Sequence, residues 1–208
     1  MQNGLAYSCN AIFYDEGGPN NDYNNNTIDT YTIYPSQPGA MVKAMFSNFA
    51  TESNYDTLFI WDGPDSESTL LGAYSSTGSL PSALGNVVAS NSSGALTFRL
   101  TSDSYVTEFG WKATIGCNLP SNTSSATIHI IDGANPLPDA QISVGALKYT
   151  CDDNGNLTVT LPYGLNEISI NAAGYHSNSF SWNMSTTNAD TTITLNELSI
   201  LKIGRAHV

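Results

Sequence analysis

Basic residues are scarce in this sequence. Six Lys and Arg stand against 18 Asp and Glu in 208 residues, which gives a formal net charge of −12. Because this charge repels the phosphate backbone of DNA or RNA, nucleic-acid binding is excluded as a function. An anionic membrane surface is disfavoured for the same reason.

Long apolar runs and catalytic motifs are also missing. No uninterrupted apolar stretch approaches the ~20 residues that a membrane-spanning helix needs, so we expect no membrane span. The chain has no HExxH sequence, no GxSxG nucleophile elbow and no glycine loop that would bind phosphate. The cysteine at position 151 has no histidine placed as its base. We therefore predict that this chain is not an enzyme.

The pattern that is present has a period of two. Alternating apolar and polar residues predict half-buried strands, and the turn signals between them are spaced as in β-sandwiches. No stretch has sustained helical periodicity. The sequence therefore predicts an all-β fold. The alternating apolar residues are Val42, Ala44 and Phe46; Leu58 and Ile60; Leu96, Phe98 and Leu100; Trp111, Ala113 and Ile115; Ile128 and Ile130; Ile168 and Ile170.

A polar stretch without periodicity, residues 118–125, follows Cys117 and is predicted to be a linker. It divides the chain into a first module, residues 1–117, and a second module, residues 126–198, each long enough for a small sandwich. At the end of the chain, residues 203–208 (IGRAHV) resemble a translated sequencing adapter. We expect natural sequence to stop near Lys202.

The first module contains an ordered series of short motifs. They are residues 13–18 (FYDEGG), 22–25 (DYNN), 32–36 (TIYPS), 49–56 (FATESNYD), 58–63 (LFIWDG), 96–103 (LTFRLTSD) and 109–113 (FGWKA), closed by Cys117. This series resembles a CUB domain of the type found in secreted bacterial multidomain proteins. The resemblance implies a jelly-roll sandwich of two antiparallel sheets that is used for binding. It also implies a secreted or cell-surface location.

The first module has two cysteines, Cys9 and Cys117, whereas animal CUB domains usually carry two disulfides. A bond between them would join the first strand to the last and would indicate an oxidising, extracytoplasmic setting. The alternative is two buried free thiols. Cys151 is the odd cysteine and is expected to be a half-buried strand residue.

Many CUB domains hold a calcium ion with a Glu, two Asp and a supporting Tyr. The resemblance places these roles on Glu52, Asp56, Asp103 and Tyr23. Three carboxylates at one end of a sandwich repel one another unless a cation joins them, and Ca²⁺ accepts carboxylate, carbonyl and water oxygens in loose geometry. The Tyr23 hydroxyl would orient one of the carboxylates. The alternative is an acidic loop cluster that faces solvent.

The second module contains its own series of motifs. They are residues 128–132 (IHIID), 136–142 (PLPDAQI), 150–155 (TCDDNG), 161–164 (LPYG), 173–175 (AGY) and 191–195 (TTITL). These motifs resemble the carboxypeptidase regulatory-like domain, which implies a smaller, seven-stranded transthyretin-like or Ig-like sandwich that acts as a spacer. Within this module, the sequence around Asn154-Gly155 predicts a hairpin between two strands.

Together these features predict a non-catalytic binding or adhesion fragment of a secreted or cell-surface multidomain protein. Its calcium-dependent CUB module would take a protein or glycan ligand that offers Lys, Arg or a polar glycan face. Its other partners would be further domains of the same polypeptide. The alternative is that both modules are accessory domains of a secreted peptidase.

Overall fold

Strands make up nearly all the regular structure of the computed structural model, which describes residues 1–185 and 189–199. The chain divides into two units, Met1–Pro120 and the residues from Ser121 on. The all-β prediction is confirmed. In the described part of the chain no helix is long and apolar enough to cross a bilayer, and Ser82–Gly85 is a short 3-10 turn. The adapter-like residues 203–208 lie outside the described residues.

The first unit is a sandwich of two sheets. The strand order is β1-β3-β8-β5-β6 in one sheet and β2-β9-β4-β7 in the other. All neighbouring strands are antiparallel except β1 and β3, which are parallel. The strands are β1 (Gly4–Tyr7), β2 (Ala11–Tyr14), β3 (Ile28–Tyr34), β4 (Met41–Ala50), β5 (Thr57–Asp62), β6 (Thr69–Tyr74), β7 (Val87–Val88), β8 (Leu96–Thr101) and β9 (Gly110–Asn118).

The core of the first unit lies between its sheets. The alternating residues of β4, β5, β8 and β9 are all buried, as the period-two pattern predicts. Aromatic rings join the two sheets, since Phe98 of β8 has its centroid 4.9 Å from Phe13 of β2 and 6.4 Å from Phe46 of β4. These contacts fix the two sheets face to face.

A disulfide closes the first unit. Cys9, between β1 and β2, is bonded to Cys117 near the end of β9, with 5.0 Å between the Cα atoms. The bond closes a loop with a sequence separation of 108 residues. The remaining cysteine, Cys151, is free and buried, and it follows the end of a strand, so the predicted half-buried strand position is wrong.

The second unit has eight strands in the described residues, one more than the seven predicted from the resemblance. The additional short strand, β11, pairs with the end of β10 through two residues. One sheet has the order β11-β10-β14 with β17 parallel to β10, and the other is β13-β12-β15-β16. The strands are β10 (Thr123–Asp132), β11 (Asn135–Pro136), β12 (Gln141–Val144), β13 (Leu147–Thr150), β14 (Asn156–Pro162), β15 (Gly164–Asn171), β16 (Asn178–Met184) and β17 (Ala189–Thr194).

Side chains from both sheets fill the core of the second unit. Ile128 and Ile130 of β10 and Leu161 of β14 meet Ile142 of β12 and Ile170 of β15, and all five are fully buried. The unit is therefore a second sandwich with its own core.

Two local expectations differ from the structure. The connection between the units is shorter than the predicted linker, because β9 continues to Asn118 and β10 already begins at Thr123. The Asn154-Gly155 turn does not form a hairpin, because β13 and β14 belong to different sheets. The Asp152 carboxylate builds this turn by accepting hydrogen bonds from the backbone N–H groups of Asn154 and Asn156, at 2.9 and 2.8 Å.

Candidate metal centre

The loop between β4 and β5 brings Glu52 and Asp56 together. The N–H groups of Tyr55 and Asp56 both donate to the Glu52 carbonyl, at 3.3 and 3.0 Å, and Asn54 has a positive φ of 72°. This tight turn places the two acidic residues on the same side of the loop, and Asp56 is fully buried.

Both oxygens of the Asp56 carboxylate accept hydrogen bonds. The Tyr23 hydroxyl donates to Oδ2 at 2.5 Å, and the backbone N–H of Asp103 donates to Oδ1 at 2.9 Å. These bonds fix the orientation of a carboxylate that is out of contact with water. Asp56 thereby links the β4–β5 loop to the segment that follows β8.

Tyr23 acts on two of the acidic residues at once. Its ring is buried, and its hydroxyl also accepts a hydrogen bond from the backbone N–H of Glu52 at 3.0 Å. Burial, followed by the hydrogen bond to Asp56, raises the pKa of the Tyr23 phenol above its usual range. The phenol therefore stays protonated and remains a donor to Asp56.

Asp103 is held by its own loop and by the loop that precedes β3. Its carbonyl accepts a hydrogen bond from the N–H of Asn26 at 2.6 Å, and its Oδ1 accepts one from the N–H of Tyr105 at 2.8 Å. The chain then turns at Val106, a β-branched residue with a positive φ of 37°. This conformation is rare for such a residue and indicates a tightly constrained loop.

One carboxylate oxygen from each of Glu52, Asp56 and Asp103 lies within 4.8 Å of the others. Glu52 Oε2 is buried and has no hydrogen-bond partner in the described part of the chain. Burial, then the charges of Asp103, Asp56 and Glu108, raise the pKa of the Glu52 carboxyl. A buried, unpartnered oxygen among like charges is the environment that a cation would relieve.

The donor atoms of this cluster suit a hard cation. All three side chains offer carboxylate oxygens, which Ca²⁺ prefers, and the cluster contains none of the His or Cys ligands that zinc prefers. The structure thus brings the carboxylates of Glu52, Asp56 and Asp103 together, with the Tyr23 hydroxyl donating to Asp56. The three carboxylates fit a calcium ion by type and by proximity.

Residues that the sequence did not indicate also support this cluster. Ser75 donates its hydroxyl to the Glu52 carbonyl at 3.0 Å and accepts from the Asn54 N–H at 2.8 Å. The Glu108 carbonyl accepts from the Tyr23 N–H at 3.3 Å. Both contacts join parts of the chain that are distant in sequence, so no local pattern signals them.

Comparison with known proteins identifies the family. A model of the CUB domain family matches residues 6–115, which is more than half of the chain. The chain belongs to the CUB domain family. CUB domains are generally non-catalytic binding modules that occur in extracellular proteins.

Solved structures that resemble this chain include other proteins with CUB domains. The CUB1-EGF-CUB2 domain of human MASP-1/3 is 20% identical, with a TM-score of 0.46 over 57% of this chain and 43% of that chain. The MASP-1 CUB2 domain bound to Ca²⁺ is 20% identical, with a TM-score of 0.44 over 56% and 99%. The full extracellular region of zebrafish Gpr126/Adgrg6 is 14% identical, with a TM-score of 0.45 over 89% and 31%. The chain spans less than half of the human MASP-1/3 fragment.

Proposed function

We propose that the CUB unit is a calcium-dependent binding module of a secreted or cell-surface protein and that its ligand is a protein presenting Lys or Arg. The observation that carries this proposal is the buried, unpartnered Oε2 of Glu52 within the Glu52–Asp56–Asp103 cluster. Glu52, Asp56 and Asp103 would hold Ca²⁺, and Tyr23 would keep Asp56 oriented toward it. The ion would supply the positive charge that lets three carboxylates stay close together.

The surroundings of the cluster favour a long cationic side chain as the ligand. Tyr55 and Tyr105 lie next to cluster residues in the chain, and their side chains are 65% and 72% exposed. A Lys or Arg side chain can pack its aliphatic part against such rings while its charged end approaches the carboxylates. Ca²⁺ would order the two acidic loops that present these rings.

The second unit supports a spacer role in the same protein. Its two four-stranded sheets enclose a separate core, which is consistent with the transthyretin-like resemblance of its motifs. A rigid sandwich without a catalytic motif would hold the CUB unit at a distance from further domains of the polypeptide.

Binding to immobilised poly-L-lysine tests the proposal. The chain has a net charge of −12, so simple electrostatic attraction predicts stronger binding when a chelator removes Ca²⁺. The proposed site predicts the opposite, namely binding in Ca²⁺ that falls about tenfold or more in chelator. Calorimetric titration of the protein with Ca²⁺ measures the ion itself in a separate experiment.

Matched carboxylate variants provide the control. Asp103→Asn should lose both Ca²⁺ binding and the calcium-dependent binding to poly-L-lysine. Glu67→Gln removes an exposed carboxylate outside the cluster and should behave as wild type. Binding to poly-L-lysine that is stronger in chelator, or equal for Asp103→Asn and wild type, would contradict the proposed function.

A further inference from the structure

The CUB unit contains a second candidate binding site, a cleft of about 370 Å³. Its lining includes the loop residues 18–22 and the residues Tyr14, Asn48, Phe109, Trp111 and Lys112. None of the cluster residues Glu52, Asp56 or Asp103 lines it. Its volume lies in the range of sites that take small molecules.

Asp15 is not itself a lining residue of this cleft, but it ties two parts of the lining together. Its buried carboxylate accepts hydrogen bonds from the backbone N–H of Trp111 at 3.0 Å and of Gly17 at 2.8 Å. Gly110 has a φ of +66°, and a Cβ added there would overlap the Asp15 carboxylate. The start of β9 and the loop that follows Asp15 are thus fixed to each other.

The loop that forms one wall of the cleft folds back on itself, and this fold requires a glycine at position 17. A Cβ added to Gly17 would overlap the carbonyl oxygens of Asn21 and Asp22. The Asn21 side-chain amide also donates to the Gly17 carbonyl, at 3.4 Å. The loop therefore has a defined shape before any ligand arrives, which lowers the entropic cost of binding.

Three neighbouring strands contribute a row of side chains to the cleft. Tyr14 of β2 is in register with Lys112 of β9, and Lys112 is in register with Asn48 of β4. A β-bulge between Phe46 and Asn48 produces this register, and the Ser47 hydroxyl donates to the Lys112 carbonyl at 3.2 Å. Bulges of this kind re-aim side chains and occur often beside functional sites.

The chemistry of the lining selects a neutral ligand rich in hydroxyl groups. Asp22 and Lys112 contribute one charge of each sign. Asn20, Asn21 and Asn48 contribute amides that can both donate and accept, and Tyr14 contributes a phenol. The ring of Phe109 is 46% exposed. Trp111 is 1% exposed and its side chain belongs to the core between the sheets, so Phe109 and Tyr14 are the lining residues that can offer ring surface to a ligand.

We infer that this cleft binds a pyranose ring of a glycan. A pyranose offers apolar C–H faces to the rings of Tyr14 and Phe109 and hydroxyl groups to the side-chain amides of Asn20 and Asn48. Its lack of charge matches the balanced lining. No carboxylate of the calcium cluster takes part, so binding at this cleft does not depend on Ca²⁺.

The test uses the indole N–H signals of the full chain, recorded with a chelator present. The chain has three Trp residues, and the variants Trp61→Phe and Trp182→Phe assign the Trp111 signal by elimination. The methyl glycosides of glucose, galactose, mannose and N-acetylglucosamine are the probes. At least one of them should shift the Trp111 signal in a saturable titration, with a dissociation constant on the order of 1 mM.

Variants of the lining identify the cleft as the site. Asn48→Ala should weaken binding of the active glycoside about tenfold, and Phe109→Ala, which changes an exposed ring, should weaken it as well. Asn86→Ala is the matched control, because Asn86 is exposed and lies outside the cleft. If no glycoside shifts the Trp111 signal, or if Asn48→Ala and Phe109→Ala both titrate as wild type, the cleft is not a glycan site. The presence of chelator keeps either outcome separate from that of the proposed calcium function.

Discussion

The hydroxyl of Tyr23 lies 2.5 Å from Oδ2 of Asp56, and both residues are buried. The same hydroxyl accepts a hydrogen bond from the backbone N–H of Glu52. One phenol therefore sets the orientation of one carboxylate and the backbone position of another acidic residue. This single oxygen atom couples the Asp56 carboxylate to the backbone of Glu52.

Removing that oxygen should destabilise the CUB unit. Tyr23→Phe leaves Asp56 Oδ2 without its tyrosine donor and the Glu52 N–H without its acceptor, and an unsatisfied buried polar group costs about 1–3 kcal/mol. We expect the free energy of unfolding in urea to fall by about 2 kcal/mol. Tyr31→Phe is the control, because the hydroxyl of Tyr31 makes no hydrogen bond with the described residues and its ring packs at the edge of the same core. Equal stability of the two variants would contradict this assignment.

Calcium should stabilise the folded CUB unit in proportion to its binding. An ion that binds only the folded state contributes RT ln(1 + [L]/Kd), which is about 2.7 kcal/mol at a hundredfold excess over Kd. The melting temperature should therefore rise with CaCl₂ and fall with chelator. Asp103→Ala should melt at the same temperature in both. Wild-type protein that melts identically in both conditions would show that no calcium site exists.

The disulfide should contribute strongly to stability because the loop that it closes is long. For a separation of 108 residues, the chain-entropy model gives about 4 to 5 kcal/mol. The double variant Cys9→Ser with Cys117→Ser should lose about 4 kcal/mol in urea unfolding. Cys151→Ser serves as the control for removing a buried sulfur. A loss no larger than that of the control would show that the cross-link has little effect on the unfolded chain.

Cys151 should be inert in the folded protein. Burial, followed by the charge of Asp152, raises the pKa of its thiol to about 11. At pH 8 the native thiolate fraction is then about 0.1%, roughly 100-fold below that of an unfolded thiol. Iodoacetamide should therefore alkylate Cys151 about 100-fold more slowly in the native state than in urea. Because the folded pKa is the higher one, raising the pH from 9 toward 11 should speed the reaction and reduce stability. Equal rates with and without urea would contradict the burial of this thiol.

Features of the fold that follow from local alternation could be predicted from the sequence. Every alternating residue of β4, β5, β8 and β9 is buried, because a strand in a sandwich has one face toward the core. The bulge between Phe46 and Asn48 could not be predicted in this way. The bulge shifts the alternation of buried and exposed residues along β4 by one position, so that Asn48 is exposed and Phe49 is buried. A bulge depends on the partner strand, and the partner of β4 is more than 60 residues away.

Turn chemistry could be predicted locally, whereas strand pairing could not. Asn154-Gly155 does form a turn, and Asp152 accepts its backbone hydrogen bonds. The strands on either side nevertheless pair with other strands, because the core decides which sheet each one joins. The turn was therefore predicted correctly from the sequence, whereas the hairpin that it was expected to close does not form.

The acidic cluster and the residues that support the second cleft differ in the same respect. Glu52, Asp56, Asp103 and Tyr23 were identified because they lie in motifs that resemble those of a family. Asp15 was not identified as a supporting residue, because its partner, the backbone N–H of Trp111, is 96 residues away. Gly110 was the one residue in the sequence that could have indicated this contact. Its positive φ suits a bend, and the space that its missing Cβ leaves is occupied by the Asp15 carboxylate.

The bond between Cys9 and Cys117 also has a mechanical consequence. Cys117 is the last residue but one of β9, just before the connection to the second unit. Tension that reaches the CUB unit through this connection passes across the two sulfur atoms to Cys9. The intervening chain, which carries Glu52, Asp56 and Asp103, lies outside this load path. A pull applied between the chain before Cys9 and the second unit would therefore leave the segment that carries the acidic cluster without load.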